Sequence, residues 1–296
     1  MSRIAFSKVA LSLDEQAALL IARGLETDVD SLVATLTKIS YYRLSGYAWH
    51  FQREESELFK AGTTLADVLD LYQFDSRLRQ LMFGLATVIE LELRTRFVNS
   101  VGHAYGPMGY SDPKHANSTA ALARDLEELR QSLERNTDGH VQNFYDRHND
   151  SWPPVWLSTE LMSFGLLSRW FDNLQSEALR KEIALGFGLA PPILTSYLRQ
   201  LTLVRNYSAH HMRLWNKHFP TGIAQVRRTP PELAEAVAGS DEHRIYRCLV
   251  MSAYVAKVLN PSTGFVVNLR EHLLAHERYL ATMDVPTRFE ESPLWQ

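Results

Sequence analysis

The stretch LADVLDLYQFDSRLRQLMFGLATVIELELRTRFVNSVG, residues 65–102, decides the fold class. From Leu65 to Val101 its apolar residues recur at the 3.6-residue spacing of a helix with a buried side, and Gly84 is the one soft point. Working outward, NSTAALARDLEELRQSLERN (117–136) reads as an amphipathic helix capped by Ser118 or Asn117. SWPPVWLSTELMSFGLLSRWFDNL (151–174) and APPILTSYLRQLTLVRNYSAHHMRLWN (190–216) each open with a double proline, which suits a helix start. PPELAEAVAGSDEHRIYRCLVMSAYVAKVL (230–259) and NLREHLLAHERYL (268–280) supply the last helices. Val/Ile/Thr alternation between hairpin turns is missing almost everywhere, and no fixed-period repeat occurs. The expected fold is all-α, a multi-helix bundle in one continuous structural unit. An N-terminal helical region at 1–61 packs on an all-α domain at 62–296.

Composition sets the outer bounds. A chain of 296 residues, 45% apolar and 22% charged, has enough apolar material for a substantial core and is not disordered by composition. The single cysteine, Cys248, excludes an internal disulfide and any Cys-based zinc site. Its apolar neighbours, CLVMSAYV, predict a buried packing role. No apolar run approaches the ~20 residues of a membrane span, and MSRIAFSKVALSLDEQ holds no signal-peptide core, so a cytoplasmic protein is expected.

The formal net charge is −3, but its distribution is uneven. Residues 183–231 contain no Asp or Glu, while Arg199, Arg205, Arg213, Lys217, Arg227 and Arg228 all fall inside. Uniform scatter would place about five or six acids there. A second acid-free window, Ser31 to Arg53, mixes Lys38, Arg43 and Arg53 with Tyr41, Tyr42, Tyr47, Trp49 and Phe51. Local positive patches on an acidic chain point to a specific anionic partner.

Within the first window lies TLVRNYSAHHMRLWNKH (202–218), with three cations and three histidines. Drawn as a continuous helix, it places Leu201, Val204, Ser208, His211, Met212 and Trp215 on a core face. Asn206, His210, Arg213 and Lys217 then share a polar stripe of ~60°, with Arg205 between the two. Two readings stand: a solvated basic face, or a lined site. The chemistry that such a site suits is RNA transesterification, in which the 2′-hydroxyl attacks its own phosphorus and neither a protein nucleophile nor a metal is required. It needs a group that exchanges protons near neutral pH, which is histidine's range. It also needs a fixed cation where charge builds on the phosphoryl oxygens, which a guanidinium provides. Asn206 is placed to orient either one. A metal site from His210, His211 and His218 is disfavoured, because adjacent helical histidines diverge by ~100° and no HExxH pattern accompanies them.

Four separated motifs carry a family resemblance: KISYYRLSGYAWHF (38–51), FDSRLRQLMFGLATVIELELR (74–94), WLSTELMSFGLLSRW (156–170) and VRNYSAHHMRLWN (204–216). In this order they resemble the Abi family, the AbiD/AbiF-like abortive-infection proteins of bacteria. RNYSAHH is similar to the R-x4-6-H signature of HEPN ribonucleases. The resemblance implies a HEPN-like all-α fold, phage defence or a toxin role, and RNA as substrate. It makes Arg205 and His210 the signature pair, with Asn206 the polar residue after the arginine. It also implies a bound structured non-coding RNA and a homodimer whose paired sites face one another. The rival reading keeps the fold in a non-catalytic RNA-binding or partner-binding protein.

Two further motifs yield site candidates. Glu90 and Arg94 are spaced i,i+4, which allows either plain helix support or a pair that faces the His210 helix and orients Arg205. In YYRLSGY, Tyr41 and its neighbours are either core aromatics or a surface that stacks RNA bases, with Arg43 on phosphate. WLSTELMSFGLLSRW reads as a packing helix in which Gly165 permits a close approach. No metal and no cofactor are expected.

Overall fold

The computed structural model describes residues 9–137 and 139–296; the start of the stretch read for a signal peptide, residues 1–8, lies outside them. Thirteen α-helices and several short 3₁₀ turns make up the described residues, and extended pairing is limited to isolated bridges. The protein is all-α. Among the described residues no helix is long and apolar enough to cross a membrane.

The chain divides into two units, Met1–Ser76 and Arg77–Gln296. The first begins with α1 (Leu13–Ala22), opened by a capping box in which Ser12 Oγ accepts from the Glu15 amide and Glu15 accepts from the Ser12 amide. Asp28 caps α2 (Val29–Lys38) by accepting from the Ser31 amide at 2.7 Å, and α3 (Tyr41–Ala48) follows. The opening turns of α4 (Leu65–Tyr105) complete this unit, burying Val68, Leu71 and Phe74. Tyr47 donates to Asp75 Oδ2 at 2.6 Å, so this buried carboxylate is hydrogen-bonded rather than orphaned.

In the second unit α4 continues and buries Leu78, Met82, Leu85, Ile89, Leu93 and Phe97, the side that its sequence spacing predicts. Gly84 does not interrupt it. α5 (Thr119–Arg135) is capped by Ser118, whose Oγ accepts from the Ala121 amide at 3.2 Å. Then come α6 (Gly139–Arg147), α7 (Val155–Ser158), α8 (Phe164–Asn173), α9 (Glu177–Leu185) and α10 (Pro191–Ala209). α11 (Pro231–Ala236), α12 (Ile245–Leu259) and α13 (Phe265–Leu274) close the chain. α10 packs on α8, α9 and α12. α8 meets α10 closely at Gly165, where a Cβ would sit 3.2 Å from Thr202 Cγ2.

α12 is buried on every side from Ile245 to Ala256, as a helix that is apolar all round must be. The cation within that buried stretch, Arg247, donates to Ser240 Oγ and to the Ile223 carbonyl. Cys248 is fully buried there, and burial pushes its thiol up to about 12. It is therefore a packing residue and not a nucleophile. A thiol-specific chromogenic disulfide should find no reactive group in the native protein and one equivalent after guanidinium unfolding. A native-state reaction at the rate of a free thiol would contradict this placement.

Two helix expectations need correction. Residues 151–174 are not one helix: α7 passes into a 3₁₀ turn at Thr159–Leu161, and α8 restarts after Ser163, whose side chain accepts from the Leu166 amide at 3.1 Å. The internal Ser cap ends one helix and starts another despite the apolar spacing. Likewise 190–216 is not helical throughout, because α10 ends at Ala209.

Candidate functional site

The end of α10 is a Schellman closure. His210 is the C-cap at φ −92°, ψ 13°, and His211 takes a left-handed φ of +55°. The His211 amide donates to the Ser208 carbonyl at 3.1 Å and the Met212 amide to the Tyr207 carbonyl at 2.7 Å, satisfying the last carbonyls of the helix. No Gly or Pro signals this stop, and that is why sequence spacing runs through it.

The consequence for the expected helical faces is direct. Leu201, Val204 and Ser208 are buried in α10, as drawn. Trp215 is also buried, but from the following loop, and His211 and Met212 are exposed instead of facing the core. Asn206, His210, Arg213 and Lys217 do not form a helical stripe. Asn206 is in the last turn, His210 caps it, and Arg213 and Lys217 belong to the loop beyond. That loop folds back on its own helix: Lys217 Nζ lies 4.9 Å from the Tyr207 ring centroid, and the Arg213 guanidinium 5.7 Å from that of Trp215. Leu214 and Trp215 anchor it, the indole N–H reaching the Tyr279 carbonyl at 3.3 Å.

His211 in a left-handed conformation carries strain that glycine would not. His211→Gly should hold or raise the melting temperature, while His211→Val should lower stability by roughly 1–2 kcal/mol, because β-branched residues tolerate positive φ worst. Thermal melts of the two variants check this. Equal melts would mean the closure is not as described.

Arg205 is held from several directions. Its Nη2 lies 3.7 Å from Glu90 Oε2, its Nη1 donates to Asn206 Oδ1 at 3.2 Å, and its guanidinium carbon sits 5.9 Å from the Phe83 ring centroid. The buried Nε has no hydrogen-bond partner, yet the side chain as a whole keeps 34% of its exposure. Glu90 also accepts from Arg94 Nη2 at 3.2 Å, and both of those side chains are only 13% exposed. Arg94 in turn donates through Nε to the Thr159 carbonyl at 2.8 Å and through Nη2 to the Met162 carbonyl at 3.0 Å. Those two carbonyls lie at the break between α7 and α8. Two of the sequence motifs thus hold Arg205 in series: the α7–α8 break fixes Arg94, Arg94 fixes Glu90, and Glu90 holds Arg205. One carboxylate between two guanidiniums leaves this cluster with an excess positive charge.

His210, at the open end of α10, is exposed. Tyr41 and Arg43 belong to α3 in the other unit, where the Tyr41 hydroxyl accepts from Arg23 at 2.8 Å and Arg43 is half-buried. Among the described residues no group of three or more His, Cys, Asp or Glu is arranged to hold a metal ion. Phe83 and the two carbonyls are site elements that the sequence reading missed. Phe83 had a signal, since positions 83, 90 and 94 share one helical face. The carbonyls had none, because any residue supplies one.

A family model described as Abi-like protein matches residues 34–216, which spans the candidate site residues just placed except Lys217. No match is found among curated proteins or among solved structures.

Proposed function

Because the chain belongs to the Abi-like protein family, we propose that it is a metal-independent endoribonuclease of abortive infection that cleaves RNA with Arg205 and His210. The 2′-oxygen gives up its proton and bonds to phosphorus, the 5′-oxygen leaves and takes a proton, and the ends are a 2′,3′-cyclic phosphate and a 5′-hydroxyl. His210 carries one of those protons. Arg205 faces the non-bridging oxygens as their charge rises. The observation that carries this reading is the Glu90 carboxylate shared between Arg94 and Arg205. It fixes the direction of the Arg205 guanidinium without cancelling its charge, because Arg94 supplies a second cation. Arg213 and Lys217 follow His210 and take the phosphates that flank the scissile one.

One imidazole supplies one proton carrier, so a homodimer is the form that completes the site, with a second copy providing the other. A bare face of α4 supports this. Gly84, Thr87, Val88, Leu91 and Thr95 are exposed and uncharged beside Glu90, with Val88 at 53% and Leu91 at 61%. A structured RNA held by the dimer offsets the repulsion between two basic segments.

The test is cleavage of a mixed RNA pool in the presence of EDTA, with the product ends mapped. Activity should persist in the chelator and leave cyclic phosphate ends. Loss restored by magnesium or manganese, with 3′-hydroxyl products, would overturn the mechanism. RNA binding without any cleavage would leave a non-catalytic RNA-binding protein instead.

A further inference from the structure

The N-terminal unit carries a second surface, remote in chemistry from RNA cleavage. Between α1 and α3 an open groove of about 640 Å³ is lined by Leu19, Tyr41, Tyr42, Trp49, Gln52 and Glu57 among others. Tyr42 and Trp49 are seven positions apart, so they stand on one side of α3 and its following turn, about 10 Å from each other. They are 89% and 65% exposed, and Val9 at the groove's end is 79% exposed. Aromatics of this size are left in water rarely, and they are enriched where another protein docks. The groove's polar edge is already fixed: Arg23 donates to the Tyr41 hydroxyl at 2.8 Å and pairs with Glu57. An edge held before binding loses little freedom on binding.

Charge selects the occupant. Residues 1–76 hold eleven Asp and Glu against seven Lys and Arg. Among the described residues the one cation lining the groove is matched by Glu57, whose side chain stays 70% exposed; Glu54 and Glu55 are exposed in the same loop, as are Arg53 and Lys60. A phosphodiester would approach a unit of net negative charge, whereas a cationic side chain would meet the exposed Glu57 and two exposed aromatic faces.

We propose that this groove docks a basic amphipathic peptide segment of a partner protein. Its apolar side chains lie between Tyr42 and Trp49, and its Lys or Arg points to Glu57 and the adjoining acids. The surface shares no residue with the Arg205 site and is read by binding, so its outcome does not depend on whether the protein cleaves RNA.

The experiment selects a phage-displayed library of random 12-residue peptides on the full-length chain and measures the enriched peptides by fluorescence anisotropy. Sequences combining Lys or Arg with Trp, Leu or Ile should be enriched. Their affinity should fall at least about tenfold with Trp49→Ala, and separately with Tyr42→Ala, at unchanged circular dichroism. Glu57→Gln should weaken them most at low salt and flatten the fall of affinity as salt rises. No enrichment, enrichment of acidic peptides, or binding indifferent to both aromatic variants would overturn the proposal. So would a labelled 12-nucleotide single-stranded RNA that binds in a manner requiring Trp49 and Tyr42, since that would make the groove an RNA surface.

Discussion

His210→Ala and Arg205→Ala should each lower the rate of RNA cleavage by about 10²–10⁴-fold, with the fold retained. His210 is exposed at the end of α10, so truncation leaves no cavity. Its amide contact to the Asn206 carbonyl at 3.0 Å comes from the backbone and survives the change. Arg205→Ala leaves Glu90 still paired with Arg94, so no carboxylate is stranded. Arg205→Lys should rescue poorly, because an ammonium cannot hold the Glu90 and Asn206 oxygens in one plane while facing a phosphate. Single-turnover rates and thermal melts on the same preparations separate chemistry from folding. Mixing the two alanine variants adds a second reading: a site shared across a two-fold axis regains part of its activity in the mixed dimer. Undiminished cleavage by His210→Ala would remove this histidine from the mechanism.

Trp215→Ala should cost about 3–5 kcal/mol, a large share of the roughly 5–15 kcal/mol that holds a domain together. The indole is fully buried, stacks edge-on against Tyr279 at 6.3 Å, and donates to that residue's carbonyl. Truncation leaves a void and removes one of the two donors to the Tyr279 carbonyl, the Thr282 hydroxyl at 2.8 Å remaining. For a unit of this size the melting temperature should fall by roughly 6–20 °C. Activity should drop as well, because Trp215 anchors the loop that begins at His210 and carries Arg213 and Lys217. Trp215→Phe keeps most of the volume and loses only the donor, so it should recover most of the stability. A melt of Trp215→Ala within a degree or two of the parent would mean that the loop is not anchored there.

Much of the fold was readable without coordinates, because helical burial is periodic. Leu78, Met82, Ile89, Leu93 and Phe97 fall at helical spacing in the sequence and on the buried side of α4 in the structure. Ser118 could be named as a cap because its hydroxyl has a short-range partner three residues on. The end of α10 was not readable. A Schellman closure usually takes glycine, and here histidine occupies the left-handed position at a cost that the buried Leu214 and Trp215 offset.

The candidate site divides along the same line. Composition and spacing alone determined that this is an all-helical chain with an acid-free basic segment, and that Arg205, Asn206 and His210 sit together within it. Those are properties of neighbours along one chain. Tertiary structure decided the rest: that Glu90 shares its carboxylate between Arg94 and Arg205, that the carbonyls of Thr159 and Met162 brace Arg94, and that Phe83 lies under the guanidinium. Apart from the i,i+4 pair of Glu90 and Arg94 within α4, each of these contacts joins segments far apart in sequence and depends on where packing brings them together. A backbone carbonyl also looks the same in every residue of a sequence, so only the fold can single out the two that matter here.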